Sequence, residues 1–213
     1  MVLKIYGHDK SACTLRVVGI AKELEVPYEF VFVDLFKQEQ KAPSFVEKNP
    51  FAMVPCIDDD GFVLYESRAI CRYLATTYAK ADAPLIPRDA IPNALFEEAA
   101  SVEQNSFEPL AAVIAFEKVV SPVLGGQTNE TVLADQIAKL DANLEVYDRI
   151  LSKRKYLAGE TITLADLFHL PYATMISSAG IDLFDRRPNV SRWHKDISSR
   201  QAWLDAWANP MKA

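Results

Sequence analysis

The sequence predicts a small α/β domain followed by an all-helical domain. Up to residue 80 the apolar pattern changes between strand-like stretches and helical spacing, whereas beyond residue 92 it is helical throughout. Between these parts, residues 80–92 (KADAPLIPRDAIP) carry three prolines and no apolar period, as is typical of a linker. We therefore divide the chain into a domain at residues 1–80, a linker at residues 81–92 and a helical domain at residues 93–213.

The first domain begins with a strand, a helix and a second strand. Residues 2–6 (VLKIY) and 28–33 (YEFVFV) are strand-like, and the apolar positions of residues 12–24 follow a helical period. This order and length predict a βαβ unit with parallel strands. A short helix at residues 41–48, a hairpin turning at residues 58–61 (DDDG) and a helix at residues 66–78 complete the order βαβ-α-ββα. These three elements follow from turn signals and helical spacing.

The second domain shows only helical patterns, some long and some short. Thr163 and Asp166 form the S/T-x-x-D/E pattern of a capping box, in which each side chain bonds to the backbone N–H of the other residue. We interpret Asp166 as a folding signal rather than a catalytic group. The predicted helices cover residues 93–120, 131–151, 163–179, 189–199 and 201–208.

Composition excludes several classes of function. The 213 residues carry a formal net charge of −6, which argues against binding to duplex nucleic acid. No apolar run is long enough to span a membrane, and the N-terminus lacks the pattern of a secretory signal. Three scattered cysteines and three histidines do not have the spacing of a metal site, and no glycine-rich nucleotide loop is present. We expect a metal-free, cytoplasmic protein without nucleic-acid or membrane partners.

Ser11 and Cys13 lie where the first predicted strand turns into the first helix. A helix N-terminus stabilises a nearby anion through its unpaired N–H groups. Ser11 could donate to a thiolate held there, or could simply cap the helix. Cys13 could itself be a thiolate, or a small packed side chain. Both alternatives stay open for each residue.

Two further segments could contact a ligand. In residues 49–55 (NPFAMVP), a cis Val54–Pro55 bond would leave the Val54 backbone groups free to pair with an extended peptide. At the predicted start of the next helix, Glu66 could meet an ammonium group and Ser67 a carboxylate. Taken alone, each segment is more simply explained without a ligand, the first as an ordinary turn and the second as a capped helix start.

Together and in this order, these motifs resemble a cytosolic glutathione transferase over nearly the whole chain. The stretches GHDKSACT, NPFAMVP, YESRAICRYLA and LADLFHLPY look most like the phi class, known from plants and fungi. The resemblance implies a thioredoxin-like N-terminal domain that binds glutathione as co-substrate. It also implies that the all-α C-terminal domain contributes a pocket for an apolar electrophile.

The resemblance also implies roles for individual residues. Ser11 matches the catalytic serine, whose hydroxyl favours the glutathione thiolate, and Val54 matches the residue that pairs with the cysteinyl backbone, beside cis Pro55. Glu66 and Ser67 match the groups that hold the γ-glutamyl end. Lys41 faces the glycyl carboxylate in this pattern, with Gln40 and Met53 also in the glutathione site, and the electrophile pocket comprises Ala12, Leu35, Phe36, Phe116 and Val119.

Two residues depart from the phi pattern. Gln40 stands where many members have histidine, and Met53 stands where glutamine is common. Met53 cannot donate a hydrogen bond through its side chain, which predicts weaker glutathione binding.

Three functions fit these residues. The first is conjugation of glutathione to apolar electrophiles, with reduction of organic peroxides as a related activity. The alternatives are a ligandin-type protein that binds aromatic metabolites with low turnover, and a thiol transferase that uses Cys13. The resemblance further implies a homodimer with Phe51 near its interface.

Overall fold

A computed structural model describes residues 2–80 and 83–212. Ala81 and Asp82, at the start of the predicted linker, lie outside the described residues, as do the terminal Met1 and Ala213. The chain forms two compact units. The first runs to Ile86 and includes the segment from Arg200 onward, and the second is Pro87–Ser199.

The first unit contains a four-stranded mixed sheet in the order β2-β1-β3-β4. β1 pairs parallel with β2, whereas β3 is antiparallel to both β1 and β4. The βαβ unit and the following hairpin are thereby confirmed. The strands are β1 Leu3–Gly7, β2 Tyr28–Phe32, β3 Cys56–Asp59 and β4 Phe62–Tyr65.

Three helices accompany this sheet, as the helical spacing predicts. α1 (Ala12–Glu23) buries Leu15, Val17 and Val18 almost completely, and it packs against α3 (Ser67–Tyr78). The predicted helix at residues 41–48 is shorter. It consists of a 3₁₀ turn at Glu39–Lys41 and α2 at Pro43–Val46, because Pro43 suits a first helical turn and Ala42 is extended.

The C-terminal helix packs on the first unit. α11 (Gln201–Ala208) contacts α1, where Gly19 lets the buried ring of Trp203 approach closely. A Cβ added at Gly19 would lie 3.1 Å from the Trp203 ring. The apolar pattern of residues 201–208 predicts this helix but not its partner.

The second unit is helical. The sequence pattern predicts one helix over residues 93–120, and the structure has a longer helical run of five segments. The second and fourth segments are π-helical turns. In order, the segments are Ala90–Val102, Glu103–Phe107, Glu108–Ala115, Phe116–Val120 and Ser121–Val123. The α-helical parts are α4, α5 and α6. Later helices are α7 Glu130–Leu151, α8 Leu164–Leu167, α9 Leu170–Ser178 and α10 Pro188–Ser198.

The predicted capping box starts α8. Asp166 is completely buried and accepts hydrogen bonds from the Thr163 N–H at 2.9 Å, the Leu157 N–H at 2.9 Å and the Trp193 indole N–H at 3.0 Å. Burial raises the pKa of Asp166, and these hydrogen bonds oppose the shift. Asp166 therefore ties three segments of the second unit together, which confirms its interpretation as a folding signal. Within the parts of the chain that the structure describes, no helix is long and apolar enough to cross a membrane.

Candidate functional site

Four chain segments meet at one edge of the sheet in the first unit. The strand register places Gly7 beside Phe32, Tyr6 beside Cys56, and Cys56 beside Tyr65. Because β3 is antiparallel to its neighbours, this edge is where β1, β2 and β4 end and where β3 begins. The loops that carry the predicted glutathione-binding residues therefore converge there.

Ser11 caps α1. Its hydroxyl oxygen accepts a hydrogen bond from the Thr14 backbone N–H at 3.3 Å, and its backbone is extended, as expected of a cap. The capping interpretation is therefore confirmed. Since this bond uses the oxygen as acceptor, the hydroxyl proton remains available for a second partner. Capping and donation to a ligand are thus compatible.

The three thiols have different environments. Cys56 and Cys71 are buried, and burial raises the pKa of Cys56 to about 11 and that of Cys71 to about 12. Cys13 is partly exposed, and its Sγ lies 3.8 Å from Nη1 of Arg16. Cys13 is thus the most accessible of the three thiols, and its side chain faces Arg16.

The NPFAMVP segment forms a tight turn with a cis Val54–Pro55 peptide bond, which confirms the predicted isomer. Asn49 organises the turn: its buried side chain donates to the Met53 carbonyl oxygen at 2.6 Å and accepts from the Phe51 N–H at 3.0 Å. Across residues 2–80 and 83–212, the Val54 backbone forms no hydrogen bond with the rest of the protein. Sequence reasoning named the motif but missed the role of Asn49.

Glu66 and Ser67 lie where β4 enters α3. Glu66 is exposed and has a positive φ of 71°, and Ser67 is buried. The Ser67 hydroxyl oxygen accepts a hydrogen bond of 2.9 Å from Nη1 of Arg16, whose side chain is also buried. Sequence reasoning missed Arg16, although a charged residue within the apolar stretch LRVV was a signal.

The loop after β2 carries other predicted glutathione contacts. Lys41 is exposed, and its Nζ lies 3.4 Å from the Gln38 side-chain oxygen. The Gln40 side-chain oxygen is buried and has no hydrogen-bond partner in the described parts of the chain, so a ligand N–H would satisfy it. The Met53 side chain is 54% exposed at the same edge of the sheet.

The predicted electrophile-pocket residues divide between the units. In the first unit Ala12 is buried, Leu35 is half-buried, and Phe36 is exposed with its ring 5.8 Å from that of His8. Sequence reasoning missed Phe32, whose ring centroid lies 5.1 Å from that of His8, so that Phe32, Phe36 and His8 form one aromatic cluster. In the second unit, Phe116 and Val119 belong to the π-helical turn at Phe116–Val120, with Phe116 exposed. A pocket shared by all five residues stays a prediction.

Two family models match the chain: the N-terminal domain of glutathione S-transferases at residues 1–76 and the C-terminal domain at residues 84–201. The chain belongs to the glutathione S-transferase family. It is 45% identical over 197 residues to glutathione S-transferase PM239X14 of Arabidopsis thaliana, covering 91% of this chain and 90% of that one. Its relatives of the plant F type mark it as phi class.

Solved structures agree with this assignment. Glutathione transferase F7 of Populus trichocarpa has a TM-score of 0.92 and 37% identity, covering 100% of both chains. Glutathione S-transferase I from maize, solved with an atrazine glutathione conjugate, has a TM-score of 0.92 and 31% identity, covering 99% of this chain and 98% of that one. The fold is therefore a thioredoxin-like domain followed by a helical domain. In the described segments, no three His, Cys, Asp or Glu side chains lie close enough together to hold a metal ion.

Proposed function

We propose that this protein joins the thiolate of glutathione to apolar electrophiles. The observation that carries the proposal is the geometry of Ser11, which caps α1 through its oxygen and keeps its proton for a sulfur anion. The relatives support it, because they are named glutathione S-transferases and the maize structure holds a glutathione conjugate.

Catalysis consists mainly of stabilising a thiolate. The Ser11 hydroxyl donates to the glutathione sulfur, and the partial positive charge at the N-terminus of α1 also stabilises the thiolate. The thiol proton leaves to solvent. The sulfur then attacks the electrophilic carbon, and the leaving group departs with its bonding electrons. With an organic peroxide the same thiolate attacks oxygen and releases an alcohol, and a second glutathione reduces the resulting sulfenic acid to give the disulfide and water.

We propose that the converging loops bind glutathione along its length. The free Val54 backbone pairs with the cysteinyl residue as an added strand, beside cis Pro55. Glu66 meets the γ-glutamyl ammonium group and Ser67 its carboxylate. At the other end, the exposed Lys41 attracts the glycyl carboxylate.

Gln40 and Met53 complete the proposed glutathione site, and the electrophile lies on apolar residues. In the first unit these apolar residues are Ala12, Leu35 and Phe36, and in the second unit they are Phe116, which is exposed, and Val119.

The division at residues 1–80, 81–92 and 93–213 also stays a proposal, as does a cytoplasmic location. Those two proposals rest on composition and on the proline-rich segment.

We propose a homodimer anchored by Phe51. Phe51 is 64% exposed on the NPF turn, and its ring centroid lies 5.9 Å from that of Tyr65. The second unit has a cavity of about 390 Å³ between α4 and α7. Its lining combines apolar residues, among them Val102, Val146 and Ile150, with the charged Glu98, Arg149, Lys153 and Arg154. A cavity of this character would accept an aromatic side chain of a second copy. Sedimentation of the protein and of Phe51→Ser should give a dimer and a monomer, respectively.

The deciding experiment measures glutathione conjugation to a chloronitrobenzene by the unmodified protein, Ser11→Ala and Cys13→Ala. We expect Ser11→Ala to lose about 100-fold or more in kcat/KM, and Cys13→Ala to retain activity within about threefold. Loss of turnover in Cys13→Ala alone would instead identify a thiol transferase. Glutathione binding without turnover in the unmodified protein would identify a ligandin-type protein.

A further inference from the structure

Arg16 is an unusual residue for the interior of this fold. Its side chain is 1% exposed on α1, a helix whose other buried residues are mostly apolar. Burying a guanidinium costs free energy, and an apolar side chain of similar volume often packs there at no loss of stability. An arginine in this position therefore suggests a requirement other than packing.

The guanidinium is directed to the start of α3. Its Nη1 donates to the Ser67 hydroxyl oxygen at 2.9 Å, although the two residues are 51 positions apart in the sequence. A guanidinium has donors only, so at this contact the serine oxygen must be the acceptor. The hydroxyl proton then points to a different partner. Arg16 thus directs the hydroxyl proton of Ser67 away from the guanidinium and toward another acceptor.

Ser67 presents a second donor. It is the first residue of α3, a helix of 12 residues, so its backbone N–H is among those without an acceptor inside the helix. The hydroxyl and the N–H together form a pair of donors, and the positive charge behind them favours an anion. A carboxylate has the two oxygens that such a pair can satisfy.

We propose that Arg16 is a positioning residue for glutathione: it holds the Ser67 oxygen so that the Ser67 hydroxyl donates to the γ-glutamyl carboxylate. This inference rests on the proposed function. The same guanidinium lies 3.8 Å from Cys13 Sγ, in the first turn of the helix that Ser11 caps. Arg16 therefore also connects the start of α3 to the helix turn proposed to hold the glutathione sulfur.

The test is a double-mutant cycle with Arg16→Met, Ser67→Ala and the double variant. At saturating electrophile, we expect each single change to raise the KM for glutathione about 10-fold while kcat stays within about threefold. In the Ser67→Ala background, Arg16→Met should raise this KM less than twofold, because the group it positions is gone. Arg16→Lys, which keeps a charged donor, should recover part of the loss. Val17→Ala, a buried change on the same helix, is the control for lost stability alone.

A second measurement tests the carboxylate directly. The analogue γ-aminobutyryl-cysteinyl-glycine lacks the α-carboxylate of the γ-glutamyl residue, and we expect the unmodified protein to prefer glutathione over it at least 10-fold. In Arg16→Met the preference should shrink severalfold. If Arg16→Met does not fold, Arg16→Lys replaces it in the cycle and in the analogue comparison, with smaller changes in the same direction.

The outcomes separate the two proposals. The role of Arg16 would be overturned if the Arg16 and Ser67 substitutions raised the KM for glutathione by independent factors that multiply in the double variant. An unchanged preference of Arg16→Met for glutathione over the analogue would overturn it as well. Either result would leave the transferase function standing. An unmodified protein that neither binds glutathione in calorimetry nor turns over an electrophile would overturn the proposed function itself.

Discussion

The Asn49 side-chain amide donates to the Met53 carbonyl oxygen at 2.6 Å, while the Met53 side chain itself is 54% exposed. The backbone of the turn is thus held independently of the side chain at position 53. A substitution there changes what is presented to a ligand and leaves the turn in place.

Met53→Gln should therefore strengthen glutathione binding. Glutamine offers a side-chain donor that methionine lacks, and one such hydrogen bond contributes about 0.5–1.5 kcal/mol, or a factor of a few to ten in Kd. Isothermal titration of both proteins measures the change, with Met53→Leu as the apolar control. Low-micromolar binding by the unmodified protein, or an equal gain in Met53→Leu, would count against a missing donor at this position.

Gly7→Ala should destabilise the first unit. A Cβ at Gly7 would lie 2.3 Å from Thr14 Cγ2 and 2.8 Å from its hydroxyl oxygen, and Thr14 is fully buried. Overpacking of this kind costs about 2 kcal/mol in the free energy of unfolding. Urea denaturation should show most of the loss recovered in the Gly7→Ala, Thr14→Ala double variant, where the closest remaining Thr14 atom, Cβ, is 3.1 Å away. An equal cost in both backgrounds would show that Thr14 is not the obstacle.

Glu66→Gly should increase stability and weaken ligand binding. Glu66 has φ 71° and ψ 108°, a conformation that strains an L-residue but suits glycine. We expect a gain of about 1 kcal/mol in the free energy of unfolding and a higher Kd for glutathione, because the carboxylate is lost. Glu66→Ala separates the two effects: it keeps the strain, so its binding should weaken without a gain in stability. A glycine variant no more stable than the alanine variant would contradict this account.

Local signals explain which elements the sequence predicted. The helical period of α1 and the Asp58–Gly61 turn signal lie within short windows, and the structure contains both features. The π-helical turns Glu103–Phe107 and Phe116–Val120 were not predicted, since each inserts one extra residue per turn into a pattern that still looks helical. Neither the composition nor the apolar period of these segments distinguishes a π-helical turn from an α-helical one.

Contacts distant in sequence account for what was missed in the site. Ser11, Val54 and Ser67 were found because each belongs to a short motif, and the sheet topology then brings their loops to one edge. Arg16 acts on a residue 51 positions away, so no motif contains both partners. The packing of Gly19 against Trp203 joins residues that are still farther apart in the sequence.

His194 should make the second unit sensitive to acid. It is 9% exposed on α10, its ring stacks on Phe184 with 4.6 Å between centroids, and its Nε2 has no hydrogen-bond partner among the described residues. Desolvation lowers the pKa of His194 to about 4, with Asp185 opposing the shift and Lys195 adding to it. The folded state therefore keeps the ring neutral at pH values where an unfolded histidine is already charged.

The sign and range of the effect follow from this difference. Well above pH 6.5, the ordinary pKa of histidine, both states are neutral at His194, and the residue contributes no pH dependence. As the pH falls from about 6.5 to about 4, the unfolded state binds the proton first, so the free energy of unfolding decreases by up to about 3 kcal/mol. His194→Phe should remove this contribution while keeping a ring against Phe184. Urea denaturation at pH 7.5, 6, 5 and 4.5 should show the free energy of unfolding of the variant rising relative to that of the unmodified protein as the pH drops. Parallel pH profiles would mean that His194 is protonated without cost in the folded state.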